Sequence, residues 1–193
     1  MFQVRIHGRG GQGVVSAAEM LSIAAFLEDK HSQAVPSFGS ERMGAPVVAF
    51  CRIDDKTIRL REPVLEPDAL IIQDPTLFSA IDVFAGLSPN GYLLINSKRT
   101  LEELGIAEAV NHLPKDQVRL VPATEIALKH IKRPLPNAVL LGALAAVTGV
   151  IKIESVVKAI ASKFPGKIGD ANIQAAEAAY QQLANHIPEE AAC

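Results

Sequence analysis

The 193-residue sequence predicts an α/β fold, a single doubly wound, mostly parallel sheet with a helical C-terminal part. Three observations predict it. A short strand pattern at residues 2–7 (FQVRIH) runs into a glycine-rich turn and then into apolar residues at helical spacing. Continuous apolar runs at residues 70–72 and 93–95 alternate with helical patterns, as parallel strands covered on both faces require. From residue 137 onward every pattern is helical.

The elements follow in order. The helix after the turn is expected over residues 13–29, which are rich in good helix formers. Residues 32–36 read as a second strand. Residues 36–46 (PSFGSERMGAP) hold two prolines and two glycines, so they read as a loop. Residues 47–54 alternate weakly as a strand, and Asp54-Asp55 reads as a turn into residues 57–61. A second phase opens near Ala69: strand ALIIQD, a helix from PTLF, strand GYLLINS, helix TLEELG, strand VRLVPA and helix TEIALKHI. NAVLLGALAAVTG, IESVVKAIASKF and ANIQAAEAAYQQLANHI complete it as helices. No repeat or linker interrupts the pattern, and residues 1–193 are expected to form one domain.

Composition narrows the function. Hydrophobic residues make up 49% of the chain and mean hydropathy is +0.21. Either an Ala- and Val-rich core or apolar surface covered by a partner accounts for that. Net charge is −2, with no basic run or stripe, which argues against nucleic acid and anionic membranes as partners. No apolar run reaches the ~20 residues of a membrane span, and the N-terminus lacks a signal-peptide pattern. Cys51 and Cys193 belong to no CxxC, so this chain alone builds no disulfide framework, zinc site or iron–sulfur cluster. The five histidines (His7, His31, His112, His130, His186) show no metal-ligand spacing. No metal site is assigned, and a cytoplasmic location is expected.

Gly8, Arg9, Gly10, Gly11, Gln12 and Gly13 contain the spacing G-x-G-x-x-G, directly after a strand and opening a helix, in Rossmann-like context. Glycines there let the backbone turn sharply and approach a ligand, and the free N–H groups of the helix start favour a phosphate or carboxylate. The alternative is a tight turn that only packs the helix. A dinucleotide site also expects an acid roughly 20 residues further on, to hold the ribose hydroxyls. Residues 31–40 contain no Asp or Glu, and Glu41 lies late in the loop, so NAD is disfavoured. A phosphate-bearing ligand held in some other way is expected.

Ser37, Phe38, Gly39, Ser40, Glu41 and Arg42 form the second feature, in a loop after a strand where open α/β sheets collect ligands. Glu41 and Arg42 read as an anion clamp, an ion pair or an interface contact. Asp74-Pro75-Thr76 reads as a helix start, with Asp74 or Thr76 as cap, and Asn96-Ser97 likewise. No G-x-S-x-G elbow, no paired Cys and His, and no thiamine signature occurs; Gly169-Asp170 is followed by Ala171. No catalytic residue is assigned. The chain therefore reads as a component of an enzyme.

The ordered blocks HGRGGQG at 7–13, PSFGSERMGAPV at 36–47, QDPTL at 73–77, NAVLLGA at 137–143 and the closing helix from Asn172 are similar to the gamma subunits of the 2-oxoacid:ferredoxin oxidoreductases. This is the family of pyruvate:ferredoxin oxidoreductase, and the resemblance spans nearly the whole chain. It implies an enzyme that decarboxylates a 2-oxoacid on thiamine diphosphate, passes electrons through iron–sulfur clusters to ferredoxin and transfers the acyl group to coenzyme A (CoA). It places thiamine diphosphate, Mg2+ and the [4Fe-4S] clusters in partner alpha, beta and delta subunits. On that analogy Gly8, Arg9, Gly10, Gly11, Gln12 and Gly13 take a CoA phosphate, and residues 37–42 face the active-site entrance. The missing ribose acid then fits, since a carboxylate would repel the 3′-phosphate. Met43 stands where many members carry a polar or basic residue, which leaves the oxoacid open. Pyruvate is expected. The competing readings are an aromatic oxoacid such as phenylglyoxylate, with NAD as final acceptor through a flavin subunit, a purely structural interface subunit, and a free-standing dinucleotide enzyme.

Overall fold

The computed structural model describes residues 1–36 and 43–185. Strand β1 (Phe2–Arg9) lies inside a six-stranded sheet. On one side it pairs antiparallel with β3 (Pro46–Asp54), which carries β2 (His31–Pro36), also antiparallel, on its far edge. On the other side β4 (Ala69–Ile72), β5 (Tyr92–Asn96) and β6 (Val118–Val121) follow in parallel. The order β2-β3-β1-β4-β5-β6 therefore joins a reversed edge pair to a parallel half. The expected mostly parallel α/β sheet is the observed one.

Alternation along β1 sorts the two faces. Val4 and Ile6 join a cluster with Ala49, Cys51, Ala69 and Ile71, covered by α1 (Val14–Phe26), α3 (Ala123–His130), α4 (Asn137–Thr148), α5 (Ile153–Lys163) and α6 (Lys167–Ala184). Residues 137–145 of α4 are buried without a break. A helix apolar all round must sit inside, and α4 packs against the sheet and the four other helices of this face. It comes close to α6 at Gly142, where an added Cβ would collide with the Ala176 carbonyl. The backbones can meet there only because position 142 has no side chain.

The opposite face is thinner. Leu70, Ile72, Leu93 and Ile95 pack against Leu77 of a 3-10 turn (Pro75–Ser79), Val110 of a short helix α2 (Ala107–Val110), and connecting loops. Residues 57–61 hold no regular structure. They lead into a segment whose carbonyls serve buried arginines: Arg52 donates to Glu62, and Arg5 to Val64 and Leu65. Arg5 also donates to Val83 and Ala85 further along the chain. One expectation fails here. Residues 100–105 make turns only. Thr100 and Glu103 cap each other's N–H groups, and Gly105 at φ 70° ends the turn before a helix can grow. No described helix is long and apolar enough to cross a membrane.

Candidate functional site

The parallel strands all point their C-terminal ends to one edge, and the site is built there. Strand β1 runs two residues further than expected, so Gly8 pairs with Val47 and Arg9 with Pro46. The ladder continues: Gly10 N–H donates to the Ala45 carbonyl at 2.9 Å, and Gly44 N–H to the Gly10 carbonyl at 3.1 Å. The free part of the turn is thus residues 11–13. Gly13 caps α1 at φ 74°, and a Cβ there would meet the Asn137 amide at 2.5 Å. The Gly11 and Gly13 N–H groups have no partner among the described residues. They join the open first turn of α1, whose dipole adds partial positive charge and which holds no acidic side chain of its own.

Gln12 and Arg9 lock the turn to β4. Gln12 Oε1 accepts from the Arg9 N–H at 2.8 Å, while Gln12 Nε2 donates to Asp74 Oδ2 at 2.7 Å. Arg9 Nε lies 3.4 Å from the same carboxylate oxygen. Asp74 also caps the 3-10 turn as expected, accepting from the Thr76 N–H at 3.0 Å and the Thr76 hydroxyl at 2.6 Å, with Pro75 next to it. Partial burial opposes ionisation of Asp74. Hydrogen bonds from Thr76 and Gln12, with the Arg9 charge, outweigh it and hold the carboxyl below its usual range.

Asn96 at the end of β5 extends the edge. It donates to the Gln73 carbonyl and the Thr124 hydroxyl, each at 2.8 Å, and accepts from the Thr124 N–H at 3.0 Å. It therefore caps α3, a helix remote in sequence. Ser97 instead accepts from the Arg99 N–H within its own turn. Beyond this edge opens a cleft of about 630 Å³, lined by residues 10–12, Met43, Thr124 and the segment 133–136. That last segment leads directly into α4, whose first turn holds no acid. At the base of the same edge, Gln73 is 1% exposed with neither side-chain amide atom hydrogen-bonded to a described residue.

A model of the pyruvate ferredoxin/flavodoxin oxidoreductase family matches residues 3–182. The chain belongs to that family. Among curated relatives, the "Pyruvate/ketoisovalerate oxidoreductases common subunit gamma" of Pyrococcus furiosus is 47% identical over 182 residues, covering 94% of this chain and 97% of the relative. "Pyruvate synthase subunit PorC" of Methanothermobacter marburgensis is 46% identical over 183 residues, covering 95% and 98%. The crystal structure of the pyruvate oxidoreductase subunit PORC of Thermotoga maritima superposes with a TM-score of 0.77 at 39% identity, covering 93% of this chain and 95% of that one. The gamma-type resemblance seen in the sequence blocks is thereby established. The chain is a subunit of an oxidoreductase complex, not a free-standing dinucleotide enzyme.

For this family member, the structure gathers Gly10, Gly11 and Gln12 at the cleft, while Gly8 and Arg9 lie in the β1 ladder. Ser37, Phe38, Gly39, Ser40, Glu41 and Arg42 lie outside the described residues. Thr124, Arg133 and the 134–136 segment were not singled out in the sequence. Two prolines just ahead of a long apolar helix were the available signal for the last of these. Cys51 is fully buried, which pushes its thiol up and leaves it inert. Among the described residues, no cluster of three or more His, Cys, Asp or Glu is placed to hold a metal ion.

Proposed function

We propose that the chain is the gamma subunit of a CoA-acylating 2-oxoacid oxidoreductase. The complex converts a 2-oxoacid, CoA and an oxidised acceptor to acyl-CoA, CO2 and reduced acceptor, with pyruvate as the oxoacid and ferredoxin as the acceptor. Thiamine diphosphate with Mg2+ supplies the decarboxylation chemistry, and [4Fe-4S] clusters the electron path, both in alpha, beta and delta partners within the cytoplasm. The family match over residues 3–182 carries this reading. The Pyrococcus relative is named as common to pyruvate and ketoisovalerate oxidoreductases, which supports placing oxoacid choice outside the gamma chain.

The role of this chain is to receive CoA. The unpartnered Gly11 and Gly13 N–H groups and the open start of α1 offer donors to a phosphate oxygen. The cleft of about 630 Å³ leaves room for part of a long ligand. Residues 37–42, entering the chain just before Met43, are assigned to the active-site entrance.

A second reading draws on one observation. Arg9 and Gln12 spend their side chains on Asp74, Thr76 and Gly44, as a turn built only for packing would. Gln12→Ala and Arg9→Ala in the assembled complex separate the two. Loosening the turn is expected to raise the KM for CoA about tenfold, with the 2-oxoacid KM nearly unchanged. Normal CoA kinetics in both variants would reject CoA binding by this turn and leave an interface subunit.

A further inference from the structure

Among the described residues, Arg133 lines the cleft and Arg9 lies beside it next to Gly10, and the two differ in what their side chains already hold. Every guanidinium nitrogen of Arg9 is engaged: Nε and Nη2 donate to the Thr76 hydroxyl at 3.0 and 2.8 Å, and Nη1 to the Gly44 carbonyl at 3.0 Å. Its charge is balanced by Asp74 at 3.4 Å. A phosphate brought to Arg9 would also meet that carboxylate, and like charges at such range repel. Arg9 therefore shapes the turn but is a poor anion receptor.

Arg133 differs in each respect. It lines the cleft, is exposed, and its guanidinium makes no hydrogen bond or ion pair with any described residue. Its backbone is set in advance. Lys132 holds φ 61°, an uncommon conformation for a residue with a side chain, and Pro134 and Pro136 fix φ beyond it. The Leu135 N–H closes a tight turn onto the Arg133 carbonyl at 2.9 Å. No acid lies in the first turn of α1 or α4 to neutralise the same region, and Glu125 of α3 is paired with Lys98. A guanidinium presents a rigid fork of donors that fits a phosphate bidentately.

We infer that Arg133 is the residue that recognises the charge of the ligand in this cleft, pairing with a phosphate group of CoA while the turn amides meet the ligand's other polar atoms. The inference rests on the CoA reading above and goes further by naming the residue on which ligand charge depends. It also reverses the role expected of Arg9, whose loss acts through the shape of the turn.

The test uses the assembled complex with Arg133→Ala and Arg133→Lys, comparing CoA with dephospho-CoA, which lacks the 3′-phosphate. Steady-state kinetics and calorimetric titration of the ligand are both read. Arg133→Ala is expected to raise KM and Kd for CoA about tenfold, with kcat and the 2-oxoacid KM unchanged, and Lys to restore part of the loss. If dephospho-CoA binds parent and variant alike, the partner is the 3′-phosphate. If it weakens in parallel with CoA, the partner is the diphosphate. Either result supports the inference. Unchanged CoA affinity in Arg133→Ala, with weakened affinity in Gln12→Ala, overturns it and leaves the CoA cleft standing. Unchanged affinity in both removes the cleft reading as well. A fall in kcat at constant KM and Kd also overturns it, since that marks a subunit contact.

Discussion

At the residue scale, buried charge is managed in two contrasting ways on β1. Arg5 is 8% exposed and donates to four carbonyl oxygens, so its buried charge is met by hydrogen bonds to loops that the sheet would otherwise not hold. His7, two residues on and on the same face, is 7% exposed with neither ring nitrogen paired among the described residues. Burial, helped by the nearby Arg5 charge, lowers its pKa to about 4. A folded-state value below the unfolded one means that the unfolded chain binds the proton more tightly. Stability is then complete above the unfolded value of about 6.5 and is lost as pH falls toward 4. The His7 contribution is on the order of 3 kcal/mol once both states are protonated. Thermal unfolding of His7→Leu between pH 4 and 7 should show a flatter acid limb than the parent; an identical limb would show that His7 is protonated in the fold at no cost.

At the element scale, the helices of the first face meet through small residues. Gly142→Ala should drive α4 away from α6, since the new methyl has only the Ala176 carbonyl in front of it. A loss of about 1–3 kcal/mol in denaturant unfolding is expected, and an unchanged midpoint would mean that the two backbones do not approach as described. Much at this scale was legible in the sequence. Helical spacing over α1, α4, α5 and α6, and the apolar runs of β4 and β5, are local patterns that follow from burying one or both faces. What was not legible depends on neighbours. The stretch after residue 61 has no local pattern, yet its carbonyls receive the buried Arg5 and Arg52 from β1 and β3. The site shows the same division. The glycine turn announced itself, whereas the Gln12–Asp74 and Asn96–Thr124 bonds join positions 62 and 28 apart. Arg133 carried no pattern, since what sets it apart is that its side chain has no partner among the described residues.

At the scale of the whole molecule, a subunit of an oxidoreductase complex should be recovered with others. Native affinity purification with mass spectrometry, followed by a 2-oxoacid screen with viologen and CoA, is expected to return thiamine- and cluster-bearing partners and activity on one oxoacid. A lone monomer or homodimer without activity would contradict the assignment. Phe26, Leu65 and Ile168, each more than half exposed, are apolar surface available for such contacts.

The central position of β1 and the enclosure of α4 have a consequence for synthesis on the ribosome. The first strand cannot complete its pairing until residue 72 has emerged, and the helix-bearing face cannot close until α6, ending at Ala184, is free. For most of translation the nascent chain therefore carries a sheet with one naked apolar face, and then an apolar helix with nothing around it. Such a chain shows apolar surface to its surroundings until its last helix docks, and its core closes at the end of the message rather than at the beginning.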